Sequence, residues 1–186
     1  MVRLNKIYTR TGDGGTAGLV DGSRVSKSSL RMAAIGEVDE ANAAIGVAIS
    51  TLREGEVRSN LLRIQNDLFD LGADVATPGR IEGALRIVAS QVDRLEREID
   101  AMNAGLEPLT SFILPSGPAA VSALHLARTV VRRAERAAVA LNEAEPLNTS
   151  ALGYLNRLSD HLFVTARYLA KDDGGDVLWQ PGATRG

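Results

Sequence analysis

The chain has 186 residues, of which 45% are hydrophobic, 24% charged and 4% aromatic, and its formal net charge is −2. The lack of cysteine and the presence of only two histidines exclude disulfides, thiolate metal sites, cysteine nucleophiles and histidine-rich metal centres. The slightly negative charge argues against nucleic-acid binding, and the sequence shows neither a signal peptide nor a run that could span a membrane. We therefore expect a cytoplasmic protein with a core of Leu, Ile, Val and Ala, a composition that favours close-packed helices.

Residues 9–18, here called the N-terminal loop, read Thr-Arg-Thr-Gly-Asp-Gly-Gly-Thr-Ala-Gly and include no large apolar side chain. Exposed backbone N–H groups, threonine hydroxyls and a nearby cation form a concave donor surface that suits phosphate oxygens. Lys27 adds a point charge for the same phosphates. The glycine spacing matches neither a Walker loop nor a Rossmann turn. From its residues alone, the segment is either a flexible surface loop or an anion-binding loop.

Five amphipathic helical patterns follow residues 1–28, which we predict to be irregular or extended with a short apolar alternation at Val2, Leu4 and Ile7. The predicted helices cover roughly residues 29–55, 57–77, 84–103, 118–142 and 148–171. Their short connections predict an all-α fold, namely one antiparallel five-helix bundle with an irregular glycine-rich N-terminal segment.

A single domain is predicted over residues 1–186, with the irregular N-terminal segment at 1–28, the bundle at 29–171 and a tail at 172–186. The apolar face of the second helix includes Leu62 and Phe69, and that of the third includes Val88. The tail is rich in Gly and Asp, and we expect it to be flexible unless its apolar patch at residues 177–179 docks.

The fourth helix carries four arginines within nine residues, here called the arginine face: Arg128, Arg132, Arg133 and Arg136. A solvated charged face is one interpretation of this run. The other is anion binding, because the guanidinium fork suits bidentate contact with phosphate or carboxylate. Arg128 and Arg132 adjoin the apolar stripe of their helix, and partly buried cations need anionic partners. Ligand phosphates or the first-helix acids Glu37 and Asp39 could supply them.

Several other residues have two open interpretations. Phe112, in the apolar triplet at 112–114, is either part of a connector tucked into the core or an apolar wall for a ligand. Asn156, beside the leucine stripe of the fifth helix, is either a polar residue that sets helix register or a ligand contact. His125 and His161 are expected to be packing or surface residues. The residues alone thus predict a helical bundle that either binds a polyphosphate or is purely structural.

Five motifs resemble the PduO-type ATP:cob(I)alamin adenosyltransferases. They are Lys-Ile-Tyr-Thr-Arg-Thr-Gly-Asp at 6–13, Gly-Glu-Val-Asp-Glu-Ala-Asn at 36–42, Phe-Ile-Leu-Pro-Ser-Gly at 112–117, Leu-Ala-Arg-Thr-Val-Val-Arg-Arg-Ala-Glu-Arg at 126–136 and Leu-Asn-Arg-Leu-Ser-Asp at 155–160. They occur in the family order and cover most of the chain. The resemblance implies a homotrimer with active sites between subunits. It also implies transfer of the 5′-deoxyadenosyl group from ATP to the cobalt of cob(I)alamin, with Mg²⁺ as a cofactor and cob(II)alamin as a precursor.

By motif position, the resemblance implies this ATP-binding set: Thr9, Arg10, Thr11, Gly12, Ala17, Gly18, Lys27, Arg132, Arg133, Ala134, Glu135, Arg136 and Asn156. It implies that Arg132 is the residue most directly tied to catalysis, and that Asp39 and Arg128 form a salt bridge across the subunit interface. Phe112 is implied to wall the corrinoid site and to keep cobalt without its lower axial ligand. No side chain is assigned to a metal.

The implied chemistry fits a chain without a side-chain nucleophile, because Co(I) of the substrate is itself the nucleophile. Many relatives have lysine at the position of Gly14 and polar residues at Ala17 and Gly18, so the loop here holds phosphate more through backbone amides. A reductase and an adenosylcobalamin-dependent mutase are implied partners. The alternative is a nucleotide- and corrinoid-binding escort or sensor without turnover.

Overall fold

The computed structural model describes residues 7–185, in which a short β-hairpin precedes five α-helices. The strands are β1 (Thr16–Gly18) and β2 (Arg24–Ser26), which pair antiparallel. The helices are α1 (Leu30–Ser50), α2 (Glu56–Val75), α3 (Ala89–Asn103), α4 (Ala119–Ala144) and α5 (Thr149–Ala170). The predicted all-α helical bundle is confirmed. Val2 and Leu4 of the predicted apolar alternation, and Lys6 of the first motif, lie outside the described residues.

The core lies between α1, α4 and α5, with α2 packed on α1 and α3 packed on α5. The stripe predicted for the fourth helix is buried throughout, as expected for a bundle helix: Leu124, Ala127, Val131, Ala134, Ala138 and Leu141. α1 begins after Ser29, whose hydroxyl accepts from the Met32 amide, and α5 begins after Asn148, whose side chain accepts from the Ser150 amide. These caps place the ends of two core helices.

A buried carboxylate joins α2, α3 and α5. Asp67 accepts hydrogen bonds from the Tyr154 hydroxyl at 2.7 Å, from Gln91 Nε2 at 2.9 Å and from Arg94. Burial of Tyr154, together with the charge of Asp67, raises the pKa of this phenol. Since the acid has three donors, it satisfies its charge inside the bundle and fixes how α3 lies against α2 and α5.

The third helix starts at Ala89, so the prediction that it begins near residue 84 is wrong. Asp74 accepts from the Ile87 amide at 2.8 Å, and Asn148 Nδ2 donates to the Ile87 carbonyl at 2.7 Å. The backbone amide and carbonyl of Ile87 are thus both hydrogen-bonded to side chains from other parts of the chain. Because neither group is left for a helical hydrogen bond, the backbone there stays extended and the helix begins only afterwards. Val88, predicted to face inward, is 51% exposed.

Two other apolar residues predicted to face inward lie on the surface. Phe69 on α2 is 72% exposed and Leu62 is 39% exposed, while Leu61, Ile64, Leu68 and Leu71 fill the core side of this helix. The predicted apolar face was therefore wider than the face that the bundle buries. The first helix also ends at Ser50, before the predicted break at Gly55.

The segment after α5 contacts the connector between α3 and α4. The Leu114 amide donates to the Val177 carbonyl at 2.7 Å, and the Trp179 amide donates to the Phe112 carbonyl at 2.8 Å. Arg167, on α5, donates from Nε to Asp176 at 2.8 Å and from Nη2 to the Glu107 carbonyl at 2.8 Å. The sequence analysis expected the tail to be flexible unless its apolar patch docks. These contacts show that residues 176–179 do dock on the connector and on α5.

Candidate active site

The N-terminal loop turns sharply before β1. The Asp13 amide donates to the Arg10 carbonyl at 3.3 Å, and the Gly15 amide donates to the Gly12 carbonyl at 3.1 Å. The Lys27 amide then donates to the Gly15 carbonyl at 2.9 Å and extends the hairpin pairing to the loop. Arg10 has a φ of +63°, in a region that is unfavourable for residues other than glycine. The backbone therefore carries local strain within the predicted phosphate-binding segment.

Donors of this loop remain open to a ligand. Within residues 7–185, the amide N–H groups of Thr11, Gly12 and Gly14 donate to no acceptor. The Lys27 ammonium lies close to the same turn, 3.2 Å from the point that a Cβ atom at Gly12 would occupy. Unpaired amides beside a cation form the concave donor surface that an anion prefers.

The arginine face divides into ion-paired and open members. Arg133 is paired with α1: its Nε lies 2.6 Å from Glu37 and its Nη2 lies 2.5 Å from Glu40. The hydrogen bonds that Arg133 donates to these two carboxylates raise the pKa of its guanidinium. Arg132 and Arg136 are exposed, and Arg136 Nη1 donates to the Arg132 carbonyl at 3.1 Å. In the part of the chain that the structure describes, no carboxylate pairs with Arg132, so its guanidinium is available to a ligand.

Arg128 is the member of the arginine face that lies deepest in the protein. Its Nε is buried without a hydrogen-bond partner among residues 7–185, and its guanidinium lies 5.9 Å from the centre of the Phe163 ring. Burial, together with the charge of Arg132, lowers the pKa of Arg128. Asp39, its implied partner, is exposed on α1 and pairs with no cation in the described chain. A partly buried guanidinium needs an anionic partner, and the described residues supply none to Arg128.

His125 lies next to Arg128 on the same side of α4. The ring is buried, its Nδ1 has no partner among the described residues, and its centre lies 6.4 Å from that of Phe163. Burial, together with the charge of Arg128, lowers the pKa of His125. His125 and His161 were expected to be packing or surface residues, and the structure buries both.

Asn156 on α5 donates from Nδ2 to Glu135 Oε1 at 2.8 Å. Both residues belong to the predicted ATP-binding set, and this bond joins α4 to α5 beside Arg132 and Arg136. Asn156 is exposed, which argues against the role of a core residue that sets helix register. Its amide oxygen accepts no hydrogen bond from residues 7–185 and remains open to a ligand.

Phe112 does not lie in the core, so the interpretation of its segment as a loop tucked into the core is wrong. Its side chain is 77% exposed, and Leu114 is 42% exposed. The ring lies 6.1 Å from the Trp179 ring in a tilted arrangement, which adds a second aromatic surface. Pairing between residues 112–114 and 177–179 holds both rings at one edge of the bundle.

The predicted site residues form separate groups on one chain. Lys27 and Gly12 lie together, as do Glu135 and Asn156, but within residues 7–185 no hydrogen bond or ion pair joins the N-terminal loop to the arginine face or to Asn156. A groove of about 770 Å³ lies between the α1–α2 connection, α3 and α5, and none of the predicted site residues lines it. The N-terminal loop and the arginine face are therefore two separate polar groups on the described chain, without a direct hydrogen bond or ion pair between them.

Arg24 contacts the N-terminal loop but was not predicted from the sequence. Its Nη2 donates to the carbonyl oxygens of Thr11 and Thr16. The Asp21-Gly22 turn between short strands was the available signal. It was weak because each strand has only three residues.

Comparison with known proteins identifies the family. The family model described as cobalamin adenosyltransferase matches residues 7–169. A corrinoid adenosyltransferase of Mycobacterium tuberculosis (strain ATCC 25618 / H37Rv) is 53% identical over 190 residues, which cover 99% of this chain and 97% of the relative. This chain belongs to the cobalamin adenosyltransferase family. The cobalamin adenosyltransferase of Cupriavidus metallidurans is also 53% identical, over 181 residues and 96% of each chain.

Solved structures of this family share the fold. A variant PduO-type ATP:corrinoid adenosyltransferase from Lactobacillus reuteri, complexed with cobalamin and ATP, has a TM-score of 0.88 at 37% identity over 95% of this chain and 97% of that chain. A second variant, complexed with ATP, has a TM-score of 0.86 at 37% identity over 94% and 100% of the two chains. The family resemblance predicted from the five motifs is confirmed. Across residues 7–185, no helix is long and apolar enough to cross a membrane.

Proposed function

We propose that this chain transfers the 5′-deoxyadenosyl group of ATP to the cobalt of cob(I)alamin. Co(I) supplies an electron pair to C5′, a Co–C bond forms, and the C5′–O bond breaks with its electrons passing to the leaving triphosphate. The products are adenosylcobalamin and triphosphate. The protein must align C5′ with cobalt and stabilise the charge that develops on the triphosphate.

The observation that carries the proposal is the separation of two complementary anion-binding groups on a chain of this family. The N-terminal loop offers unpaired amides and Lys27. The arginine face offers the unpaired Arg132 beside the Glu135–Asn156 bond. Because no hydrogen bond or ion pair joins them among residues 7–185, we infer a site between subunits of a homotrimer, where the loop of one protomer meets the arginine face of the next.

Each group has a role that follows from its chemistry. The loop residues Thr9, Arg10, Thr11, Gly12, Ala17 and Gly18, with Lys27, hold the triphosphate. Arg132 and Arg136 approach it from the arginine face, and Arg132 stabilises charge as the C5′–O bond breaks. The guanidinium of Arg133 already forms ion pairs with the carboxylates of Glu37 and Glu40. We therefore infer that this guanidinium supports the arginine face through its pairing with α1. Ala134, predicted to bind ATP, is 0% exposed on the core stripe of α4, so its inferred role is to pack this face and not to contact ATP.

The corrinoid is placed against the exposed ring of Phe112. An apolar ring where an axial ligand would sit offers no lone pair to cobalt and excludes water. Both effects favour cob(II)alamin without a lower ligand, and this form is easier to reduce to cob(I)alamin.

Asp39 is the proposed partner of Arg128 across the subunit interface, where it would supply the anion that Arg128 lacks.

Mg²⁺ fits this site as a companion of the nucleotide. Among residues 7–185, no three His, Asp or Glu side chains converge as a metal site. Mg²⁺ commonly binds through substrate phosphates and waters with few protein ligands, so the proposed triphosphate site is compatible with it.

The proposal also includes a cytoplasmic location, a reductase that supplies cob(I)alamin and a dependent mutase that receives the product.

The test is to mix the protein with MgATP and cob(I)alamin under strong reductant without oxygen. We expect a light-sensitive adenosylcobalamin spectrum and an equal amount of triphosphate. ATP binding without product would instead support the escort or sensor function, and absence of ATP binding would leave a structural bundle. Sedimentation of the same sample tests the trimer.

A further inference from the structure

The side chain of Arg24 spans the turn of the N-terminal loop from its position on β2. Its Nη2 donates to the Thr11 carbonyl at 2.8 Å and to the Thr16 carbonyl at 3.1 Å. Thr16 Oγ1 accepts from Nη2 at 2.9 Å and from Nε at 3.1 Å. Thr11 and Thr16 lie on either side of the turn at residues 12–15. One planar guanidinium fork therefore holds both ends of the turn together.

The bond to Thr11 also sets the direction of a neighbouring donor. The carbonyl of Thr11 and the amide N–H of Gly12 belong to one planar trans peptide group, so they point in opposite directions. Arg24 occupies the carbonyl side of that group. The Gly12 N–H, which has no acceptor among residues 7–185, is thereby turned to the other side, where an anion can accept it.

The backbone has little else to hold this arrangement. β1 and β2 have three residues each, and an isolated two-stranded hairpin is only marginally stable. Arg10 and Gly15, with φ values of +63° and +80°, both lie in the left-handed region, which costs free energy at Arg10. A loop that is already ordered binds an anion more tightly, because binding no longer has to order it.

We propose that Arg24 is a positioning residue for the triphosphate: it fixes the N-terminal loop in the conformation that presents its amides. The inference rests on the proposed function, because it takes the triphosphate of ATP as the ligand of this loop. Arg24 acts through Thr11 and Thr16 and needs no contact with ATP itself.

The test compares Arg24→Ala and Arg24→Lys with the wild type in the anaerobic adenosylation assay and in titrations with MgATP and with inorganic tripolyphosphate. We expect the KM for ATP and both dissociation constants to rise about tenfold, as for loss of hydrogen bonds from a charged donor. The KM for cob(I)alamin and kcat at saturating ATP should stay near wild-type values. Lysine should not rescue, because one ammonium cannot replace the fork. Arg58→Ala removes an arginine on α2 that pairs with Glu54 and serves as the control.

A milder variant covers the case in which Arg24→Ala disturbs the hairpin. Thr16→Val removes only the hydroxyl acceptor, and we expect a smaller rise in the KM for ATP that disappears when Arg24 is already Ala.

An unchanged KM for ATP in Arg24→Ala would overturn the role of Arg24, while wild-type turnover would still uphold the proposed function. Full rescue by Arg24→Lys would overturn it too, because charge alone would then suffice. Equal loss of kcat and of both affinities would point to general unfolding and also overturn it. A wild type that neither binds ATP nor turns over would overturn both proposals.

Discussion

The ammonium nitrogen of Lys27 lies 3.2 Å from the point that a Cβ atom at Gly12 would occupy. A methyl group at this position would make a tight contact, and the flexible end of the lysine side chain would have to shift by a few tenths of an ångström. We expect Gly12→Ala to raise the KM for ATP several-fold by displacing this cation, with kcat at saturating ATP largely kept. Steady-state kinetics at varied ATP, with cob(I)alamin saturating, measure this effect.

Gly14→Ala is the matched control for Gly12→Ala. A Cβ atom at Gly14 has no neighbour within 4 Å, and Gly14 is not among the glycines with positive φ. Both substitutions stiffen the same loop, but only one meets Lys27. Equal effects of the two variants on the KM for ATP would contradict a specific role for the Lys27–Gly12 contact.

Arg132→Ala should leave a folded protein with the oligomeric state of the wild type, in which adenosylation is nearly abolished. Arg132 is exposed and has no carboxylate partner among residues 7–185, so its removal costs little stability. Loss of one preorganised donor to developing charge commonly costs about 10²–10³ in kcat. Single-turnover rates with enzyme in excess would report this step directly. Wild-type turnover in this variant would refute the assignment.

Asp39→Ala should weaken both the proposed trimer and the activity. Arg128 is partly buried with an unpaired Nε, and it needs an anion that the described chain does not supply. Removing Asp39 would leave that cation unpaired at the proposed interface, a change that is strongly destabilising in buried pairs. Sedimentation equilibrium over a range of protein concentrations would show a shift to smaller species. Asp93→Ala on α3 removes an exposed acid and is the control. An unchanged trimer in Asp39→Ala would argue against the Asp39–Arg128 bridge.

The sequence predicted the bundle well because the helical period is a local signal. The stripe from Leu124 to Leu141 repeats at the spacing of one helix face, and each member is buried. The start of α3 could not be found in this way, because it depends on Asp74 and Asn148, which are distant in the chain. Phe69 was misplaced because the period identifies an apolar side without showing how much of it a neighbouring helix covers.

The candidate site was predicted mainly through its motifs. The residue types of the arginine face left open a solvated charged face or an anion-binding face, and only the structure shows that Arg133 is the arginine that pairs with Glu37. Arg24 was not predicted because its role depends on hydrogen bonds to two backbone carbonyl oxygens. The positions of carbonyl groups cannot be read from the residue types of a sequence. The separation of the loop from the arginine face is likewise a property of the folded chain. It supports the proposal, made above, of a site between subunits.

His125 should make the folded state less stable in mild acid. Burial, together with the charge of Arg128, lowers the pKa of this ring, and the weaker opposing charge of Asp176 does not reverse the shift. The unfolded state then binds a proton that the folded state does not, so stability is fully present above the unfolded pKa of about 6.5 and falls as pH drops below it. We expect urea unfolding to show a smaller loss of stability between about pH 7.5 and 5.5 in His125→Gln than in the wild type. His161 is retained in both proteins and cancels in the comparison. Parallel pH profiles for the two proteins would show that His125 titrates alike in both states and would contradict the prediction.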